Sequence, residues 1–314
     1  MEKVHAKKSS YKGNLMIIVA TIIWGAGMSA QSAGMGHVSP LTFNAARFFI
    51  GGTMALVPAL VFLRRQRADL AKDRGAMVVI SKRTVMAGII CGAVLCLAIN
   101  LQQFGLLFTT VANASFITSL YVIMVPIVCL VIFKKRAPVF VWIGAAVAMT
   151  GIYFLSLSGG LHINLGDVLV FLCAMAFTAQ ILIIGHFSPR HNVLALACVQ
   201  FYTVFIISVI LAFIFETPSI GDLIAAGPYV LYTGVLSSGV AYILQMKAQK
   251  TTEPTVAAVL FSFEGVVATL TGWFVLNQFL TPWEMLGCAL IFVAILVAQT
   301  PSGLKMKKRK FEAT

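Results

Sequence analysis

Ten long apolar stretches alternate with short polar connections along the chain. They run over 14–34, 41–63, 84–107, 112–133, 138–157, 166–186, 193–215, 222–244, 254–276 and 281–300. A helix needs about 20 apolar residues to cross the hydrocarbon core of a bilayer. The pattern therefore predicts an all-α polytopic membrane protein with ten transmembrane helices.

The basic residues fall in every second connection. All but one of the 23 Lys and Arg residues lie before the first stretch, after the last one, or in the connections that contain 64–83, 134–136, 190 and 247–250. Because Lys and Arg accumulate in cytoplasmic loops, we expect these connections and both termini to be cytoplasmic. The terminal tails are 1–13 and the basic segment 301–314. The one basic residue that this pattern does not explain is Arg47, inside the second stretch.

The composition excludes several classes of protein. Hydrophobic residues make up 60% of the chain and charged residues 11%, whereas charged residues reach about a quarter of a typical soluble domain. The net charge of +13 lies in short clusters beside the helices, which favours contact with anionic lipids over a nucleic-acid partner. With no phosphate-binding glycine loop, metal-ligand spacing or nucleophile with a base, we predict no cofactor, no metal and no enzymatic activity.

The two halves of the chain are weakly similar. TTVANASFITSLYVIMVPIV followed by KKRAPVFVWIGAAVAMTGIYFL corresponds to KTTEPTVAAVLFSFEGVVA followed by NQFLTPWEMLGCALIFVAILVAQ. The repeats are predicted at 14–160 and 161–300, divided near Gly159–Gly160. Because each has five helices, an odd number, the second lies inverted in the membrane. Inverted repeats are typical of secondary transporters, although some form channels.

Several segments carry a resemblance to a known family. They are IIWGAGMSAQ, FNAARFF, SFITSLYVIMVPI and the long run from LQMKAQ to ILVA, and the chain resembles the EamA-type members of the drug/metabolite transporter superfamily over 14–300. The resemblance implies two inverted five-helix repeats and alternating access. It also implies a central cavity lined mainly by helices three, four, eight and nine, with help from one and six. Such proteins move amino acids, drugs or other small metabolites, usually outward in bacteria.

This chain departs from the family pattern at two places. Glu264–Gly265 stands where the family often has Glu-Pro, and Lys134–Lys135 and Asn277–Gln278 replace Gly-Glu pairs. Neither departure affects the expected fold, but both weaken any transfer of substrate identity.

Two charged residues lie inside the predicted helices and away from their ends. Glu264 is near the middle of the ninth, where an ionisable side chain costs about 2.5–3.5 kcal/mol on insertion scales, so it should face a cavity or a partner. It either exchanges a proton or binds a cationic group, or it ties its helix to a neighbour. Arg47 lies about 9 Å below the outer end of the second helix, at 1.5 Å per residue. It either binds a substrate carboxylate, or it snorkels toward the interface or satisfies backbone carbonyls and a neighbouring acid.

Polar residues recur at helical spacing on the fourth and eighth helices. Lipid offers them no hydrogen bonds, so they should point inward, where they line a cavity or serve helix packing. Pro126 is expected to kink helix four, and Gly265 to let helix nine bend. The candidates for the substrate site are Trp24, Asn100, Gln103, Ser115, Thr118, Ser119, Tyr121, Gln180, Tyr232, Tyr242 and Gln245.

These features predict a secondary transporter in the cytoplasmic membrane, monomeric or homodimeric. It would move small organic solutes such as amino acids, most plausibly outward, by alternating access, with protons as the candidate coupling ion at Glu264. The alternatives are a multidrug exporter of amphiphilic cations and a non-transporting scaffold or flippase-like subunit.

Overall fold

The computed structural model describes residues 11–72, 81–109, 111–156, 164–276 and 281–298, and every regular element in these ranges is helical. A π-helix, Thr233–Ala241, lies between α10 and α11. The α-helices are α1 (Tyr11–Gly34), α2 (Pro40–Lys72), α3 (Lys82–Gly105), α4 (Val111–Thr118), α5 (Tyr121–Val131), α6 (Val139–Ser156), α7 (Leu165–Phe187), α8 (Val193–Phe215), α9 (Ile220–Ala225), α10 (Gly227–Tyr232), α11 (Tyr242–Ala248), α12 (Pro254–Phe261), α13 (Phe263–Leu276) and α14 (Pro282–Ala298).

These helices form ten spans. Three spans are composite: α4 and α5 form the fourth, α10, the π-helix and α11 the eighth, and α12 and α13 the ninth. Eight spans are long and apolar enough to cross a membrane, and the fifth and tenth, α6 and α14, are shorter apolar helices. At 1.5 Å per residue their 18 and 17 residues still cover about 25 Å. The prediction of an all-α polytopic membrane fold is confirmed.

Two helices differ from the predicted boundaries. The apolar part of α2 ends at Val61, but the helix continues to Lys72 because the following residues, RRQRADLAK, are mostly good helix formers. The eighth span begins at Gly227 rather than 222, after the separate short helix α9. Pro228 explains this restart: it cannot donate the hydrogen bond that a continuous helix would need, and it is well suited to a first turn.

The two sides of the bundle are named here by their charge. The basic face is the side on which α1 begins, and it carries Lys82, Lys135, Arg190 and Lys250 at helix ends. The neutral face is the opposite side, where α1 ends and α2 begins. The predicted repeat boundary at Gly159–Gly160, the pair Asn277–Gln278, the tail 301–314 and most of the tail 1–13 lie outside the described residues.

On the neutral face, the end of α8 holds the start of α2. The two carboxylate oxygens of Glu216 accept hydrogen bonds from the backbone amides of Leu41 and Thr42, at 2.8 and 2.9 Å, and from the Thr42 hydroxyl at 2.7 Å. A carboxylate at the first turn satisfies amides that have no partner within the helix and interacts favourably with the helix dipole.

The contacts of the two halves are equivalent. Thr252 Oγ1 donates to Asn14 Oδ1 at 3.2 Å, and Thr109 Oγ1 donates to Asp167 Oδ1 at 2.6 Å. The shift in residue number that takes Asn14 to Asp167 also takes Gly13 to Gly166, and each glycine packs closely against the corresponding threonine and the residues just before it. Superposing each half on the other therefore brings the pair Thr252 and Asn14 onto the pair Thr109 and Asp167.

The interface between the fifth and tenth spans also consists of contacts that are equivalent in the two halves. A Cβ on Gly144 would lie 3.1 Å from the carbonyl oxygen of Ala294, and one on Gly151 would lie 2.8 Å from that of Gly287. The shift that takes Gly144 to Gly287 also takes Gly151 to Ala294. The two helices therefore pack around a local pseudo-two-fold axis, backbone against backbone.

Candidate functional site

A central cavity lies between seven of the ten spans. It has about 50 Å³ for the centres of water molecules, which is room for a few waters. Its lining combines one acid, one base, four glutamines and several aromatic rings. The lining residues are Trp24, Gln31, Arg47, Gln102, Thr118, Tyr121, Phe177, Gln180, Ile181, Ser237, Tyr242, Gln245, Phe261 and Glu264.

Two of the spans are interrupted where they line the cavity. The fourth span breaks at Ser119–Leu120, and the ninth breaks at Ser262. At both places backbone amides bond three residues back instead of four, as Val122 does to Ser119 and Gly265 to Ser262. The two serines are equivalent under the shift that takes Thr109 to Thr252. Discontinuous helices at matching positions of inverted repeats are a recurrent way to build a transport site.

The breaks lie before the residues that we expected to bend these helices. Pro126 is inside α5, and the irregular turn at Ser119–Leu120 lies before the carbonyl of Val122, the group four residues earlier that a proline crowds and leaves without its hydrogen bond. In the ninth span the hydroxyl of Ser262 donates to the carbonyl of Val259 at 2.6 Å, three residues before Gly265. Serine, not glycine, therefore marks this break.

The eighth span faces the cavity through its π-helix. The wider turn leaves the carbonyl of Ser237 free to accept a hydrogen bond from the indole Nε1 of Trp24 at 3.1 Å. One turn away, the hydroxyl of Tyr232 donates to the carbonyl of Ile23 at 3.1 Å. Segments of π-helix occur frequently at functional sites, and here the segment attaches the first span to the cavity wall.

Aromatic rings form a continuous wall across the cavity. The ring of Trp24 lies 4.9 Å from that of Tyr242 and 5.7 Å from that of Phe261, and the ring of Tyr121 lies 6.3 Å from Phe261. These are distances at which tilted rings attract one another. The wall provides an apolar surface on which the carbon skeleton of a solute can pack.

Glu264 faces the cavity with a partly exposed side chain. Among the described residues, the structure records no hydrogen bond or ion pair to its carboxyl group. Its backbone is held tightly, because a Cβ on Gly25 of α1 would lie only 2.7 Å from the Glu264 carbonyl oxygen. The backbone of Glu264 is thus fixed in position, while its carboxyl group has no recorded partner within the described part of the protein.

Arg47 does not reach an interface. Its side chain is 3% exposed, and Nη1 donates to Oε1 of Gln31 at 2.6 Å. The guanidinium carbon lies 5.1 Å from the ring centre of Phe48 and 5.8 Å from that of Phe43, within the range of cation–π attraction. Its Nε is buried without a hydrogen-bond partner, and no ion pair to Arg47 is recorded in the described ranges.

Toward the basic face, glutamines join the sixth and eighth spans. Nε2 of Gln245 donates to Oε1 of Gln180 at 3.1 Å, and Nε2 of Gln249 donates to the carbonyl of Ile181 at 2.9 Å. The hydroxyl of Ser188 also donates to the carbonyl of Met246. The remaining polar atoms of the first pair, Gln180 Nε2 and Gln245 Oε1, are buried without a hydrogen-bond partner among the described residues.

The structure brings eight of the predicted charged and substrate-site residues to this cavity. They are Trp24, Arg47, Thr118, Tyr121, Gln180, Tyr242, Gln245 and Glu264. The other predicted residues do not line the cavity: Asn100, Gln103, Ser115, Ser119 and Tyr232. Asn100 accepts from Asn44 and donates to Cys96, Gln103 is buried without a partner, Ser119 bonds to the carbonyl of Ser115, and Tyr232 bonds to the backbone of Ile23.

Six lining residues were absent from the prediction. They are Gln31, Gln102, Phe177, Ile181, Ser237 and Phe261. The choice of Gln103 over Gln102 shows the difficulty, since neighbouring residues on a helix point about 100° apart and the apolar pattern around this pair does not say which one faces inward. Gln31 was identifiable as a polar residue in an apolar stretch.

Comparisons with known proteins agree with this architecture. The sequence profile of the EamA-like transporter family matches the chain twice, over residues 11–157 and 164–300. The chain therefore belongs to the EamA-like transporter family, and it is a multi-pass membrane transporter with the ten-helix fold of that family.

Relatives and a solved structure extend the likeness over most of the chain. An uncharacterized transporter of Archaeoglobus fulgidus is 32% identical over 90% of this chain and 84% of its own length. The uncharacterized transporter YwfM of Bacillus subtilis is 27% identical over 91% and 94%. One crystal structure superposes with a TM-score of 0.73 at 19% identity, covering 91% of this chain and 96% of that one, which shows a shared fold.

Proposed function

We propose that this transporter moves small polar organic solutes, amino acids or related metabolites, out of the cytoplasm by alternating access. One observation carries the proposal. A small cavity between the interrupted fourth and ninth spans combines an unpartnered carboxyl, a buried guanidinium, unpaired glutamine atoms and an aromatic wall. Such a lining suits a solute with charged ends and a short carbon skeleton.

The size and charge of the cavity favour this class over the alternatives. Amphiphilic drugs are larger than a space with about 50 Å³ for water centres, and the buried cation Arg47 would repel their positive charge. A scaffold without transport activity has no need of Glu264 in a polar cavity, because an unpaired carboxyl in a membrane span is costly.

Alternating access is supported by the equivalence of the two halves. Contacts such as Thr252 with Asn14 and Thr109 with Asp167 allow each half to take the arrangement of the other at little cost. In the present arrangement the pair Gln180 and Gln245 joins two spans on the basic-face side of the cavity. We take this pair as part of the closed gate on that side, opened when the halves exchange.

The charges support the proposed orientation in the membrane and the proposed coupling. Because basic loops favour the cytoplasm, the basic face and both termini are assigned to the cytoplasmic side of the cytoplasmic membrane. Glu264, without a protein partner, can take up a proton in one state and bind an ammonium group in the other. Export of the solute would then be exchanged for protons.

The test is counterflow in proteoliposomes that contain only the purified protein. Vesicles preloaded with each of the proteinogenic L-amino acids are diluted into the same labelled amino acid. Saturable accumulation with at least one of them is expected, and none with empty liposomes. Absence of counterflow across the panel would contradict the proposal. Competition by amphiphilic cations, but not by amino acids, would point to a multidrug exporter.

A further inference from the structure

We infer that Arg47, oriented by Gln31, binds a carboxylate of the transported solute and is the main determinant of specificity for that group. This inference rests on the proposed function, because it names the chemistry of one end of the same cavity. It assigns to the first repeat alone a binding point that the second repeat lacks.

The guanidinium of Arg47 has donors to spare. Of its five N–H groups, one on Nη1 is recorded as paired within the described ranges, with Oε1 of Gln31, and Nε is buried there without a partner. The rings of Phe43 and Phe48 lie within cation–π range of the guanidinium, and the side chain lines the cavity. An arginine fixed in this way presents a planar fork that matches a carboxylate.

Its backbone is equally well fixed. A Cβ on Gly234 of the π-helix would lie 3.1 Å from the carbonyl oxygen of Arg47, and one on Gly51 would lie 2.9 Å from Cβ of Ser238. The second span therefore packs directly on the π-helix at this residue and over the turn that follows it. The backbone of Arg47 is therefore held at this depth as long as the two helices stay packed.

The equivalent position in the second repeat shows which residue is compatible with the helix packing alone. The shift that takes Asn14 to Asp167 takes Arg47 to Gln200, and it takes Phe48 to Phe201, whose rings meet at 5.9 Å between α2 and α8. Phe49 contacts Phe205 at 5.2 Å, and the equivalent pair, Tyr202 and Gly52, is also in contact. The aromatic packing next to Arg47 on α2 is therefore equivalent to that next to Gln200 on α8.

Gln200 nevertheless has no part in the cavity. It is fully buried, and neither polar atom of its side chain has a hydrogen-bond partner in the part of the chain that the structure describes. The residues around it are also less polar than those around Arg47: the shift takes Gln31 to Ile184 and Asn44 to Ala197. A neutral residue is thus compatible with the helix packing, and the positive charge at Arg47 is an addition at the cavity only.

The only acid in the cavity lining lies at a different depth. Counted from the neutral-face ends of α2 and α13 at 1.5 Å per residue, Arg47 is about 10 Å deep and Glu264 about 18 Å deep. No ion pair joins them in the described ranges. A zwitterion can therefore lie between them, with its carboxylate toward the neutral face at Arg47 and its ammonium toward Glu264.

The test compares Arg47→Gln, which introduces the residue found at the equivalent position 200, with Arg47→Lys and the wild type. The probes are the amino acid with the strongest counterflow and its carboxamide, which keeps the ammonium and the side chain. We expect the wild type to prefer the acid at least tenfold, Arg47→Gln to lose that preference, and Arg47→Lys to keep part of it. Gln200→Met, a matched change outside the cavity, should leave the preference intact.

The outcomes separate this inference from the proposed function. Equal affinity of the wild type for the acid and the amide would overturn the carboxylate assignment even if Arg47→Gln did not fold. An unchanged preference in a well-folded Arg47→Gln would also overturn it, while counterflow itself persisted. Absence of counterflow with every amino acid would instead contradict the proposed function.

Discussion

The hydrogen bond between Gln245 and Gln180 offers a quantitative test of the gate assigned to the basic-face side. Gln245→Met keeps the length of the side chain but removes both polar atoms. In the closed arrangement the amide of Gln180 would then have no partner. Where the spans separate, water can reach it. The substitution should therefore destabilise the closed arrangement relative to the open one.

The magnitude follows from the contact. An interhelical hydrogen bond in a membrane protein contributes about 0.6 kcal/mol on average and up to about 1.7 kcal/mol, and a buried polar group left unpaired costs about 1–3 kcal/mol. Since Gln180 Nε2 is already unpaired, we expect a net shift of about 1–2 kcal/mol. This corresponds to roughly a five- to thirty-fold increase in the open population.

Hydrogen–deuterium exchange of the backbone amides in α11 measures this population in the purified protein. Exchange in Gln245→Met should accelerate by about the factor given above. The double variant Gln180→Met with Gln245→Met should exchange more slowly than either single variant, because no unpaired amide remains. Gln102→Met is the matched control, since Gln102 is equivalent to Gln245 but has no recorded side-chain hydrogen bond. Additive effects, or equal acceleration in Gln102→Met, would refute the gate.

Three further predictions concern single positions. Glu264→Gln should still catalyse counterflow but lose the pH dependence of net flux under an imposed proton gradient, and retention of the full dependence would remove the coupling role. Gly25→Ala should lower the thermal stability by about 1–3 kcal/mol, because the new methyl group would lie 2.7 Å from the Glu264 carbonyl; Gly227→Ala, where nothing lies within 4 Å, is its control in the same melting experiment. Glu216→Gln should weaken the cap of α2 by about 1 kcal/mol, seen as faster exchange of the amides at the start of that helix, and unchanged exchange there would argue against the cap.

The prediction was most successful where the signal is local and repeated. The ten spans follow from the length of each apolar stretch, and the boundaries shift only where another local signal intervenes, as Pro228 does at the start of α10. Glu264 and Arg47 could be singled out because a charged residue inside an apolar stretch has few alternatives to a cavity or a partner.

The prediction was least successful where the orientation of a helix decides the outcome. Asn100 and Gln103 face other helices, whereas Gln102 faces the cavity. The sequence pattern also did not predict the breaks at Ser119 and Ser262, because a serine interrupts a helix only when its neighbours let its hydroxyl bond to the preceding turn.

The sequence by itself determined the class of protein, the number of spans and the internal repeat, because these depend on the apolar content of each segment and on the order of the segments. The tertiary structure alone decided that Arg47 is held by Gln31 and two phenylalanine rings, that Gln180 meets Gln245, and that the interrupted spans face one cavity. Contacts of this kind join residues far apart in the chain, and they depend on the rotation of each helix about its axis. An apolar stretch constrains that rotation only weakly, because both lipid and protein neighbours accept an apolar surface.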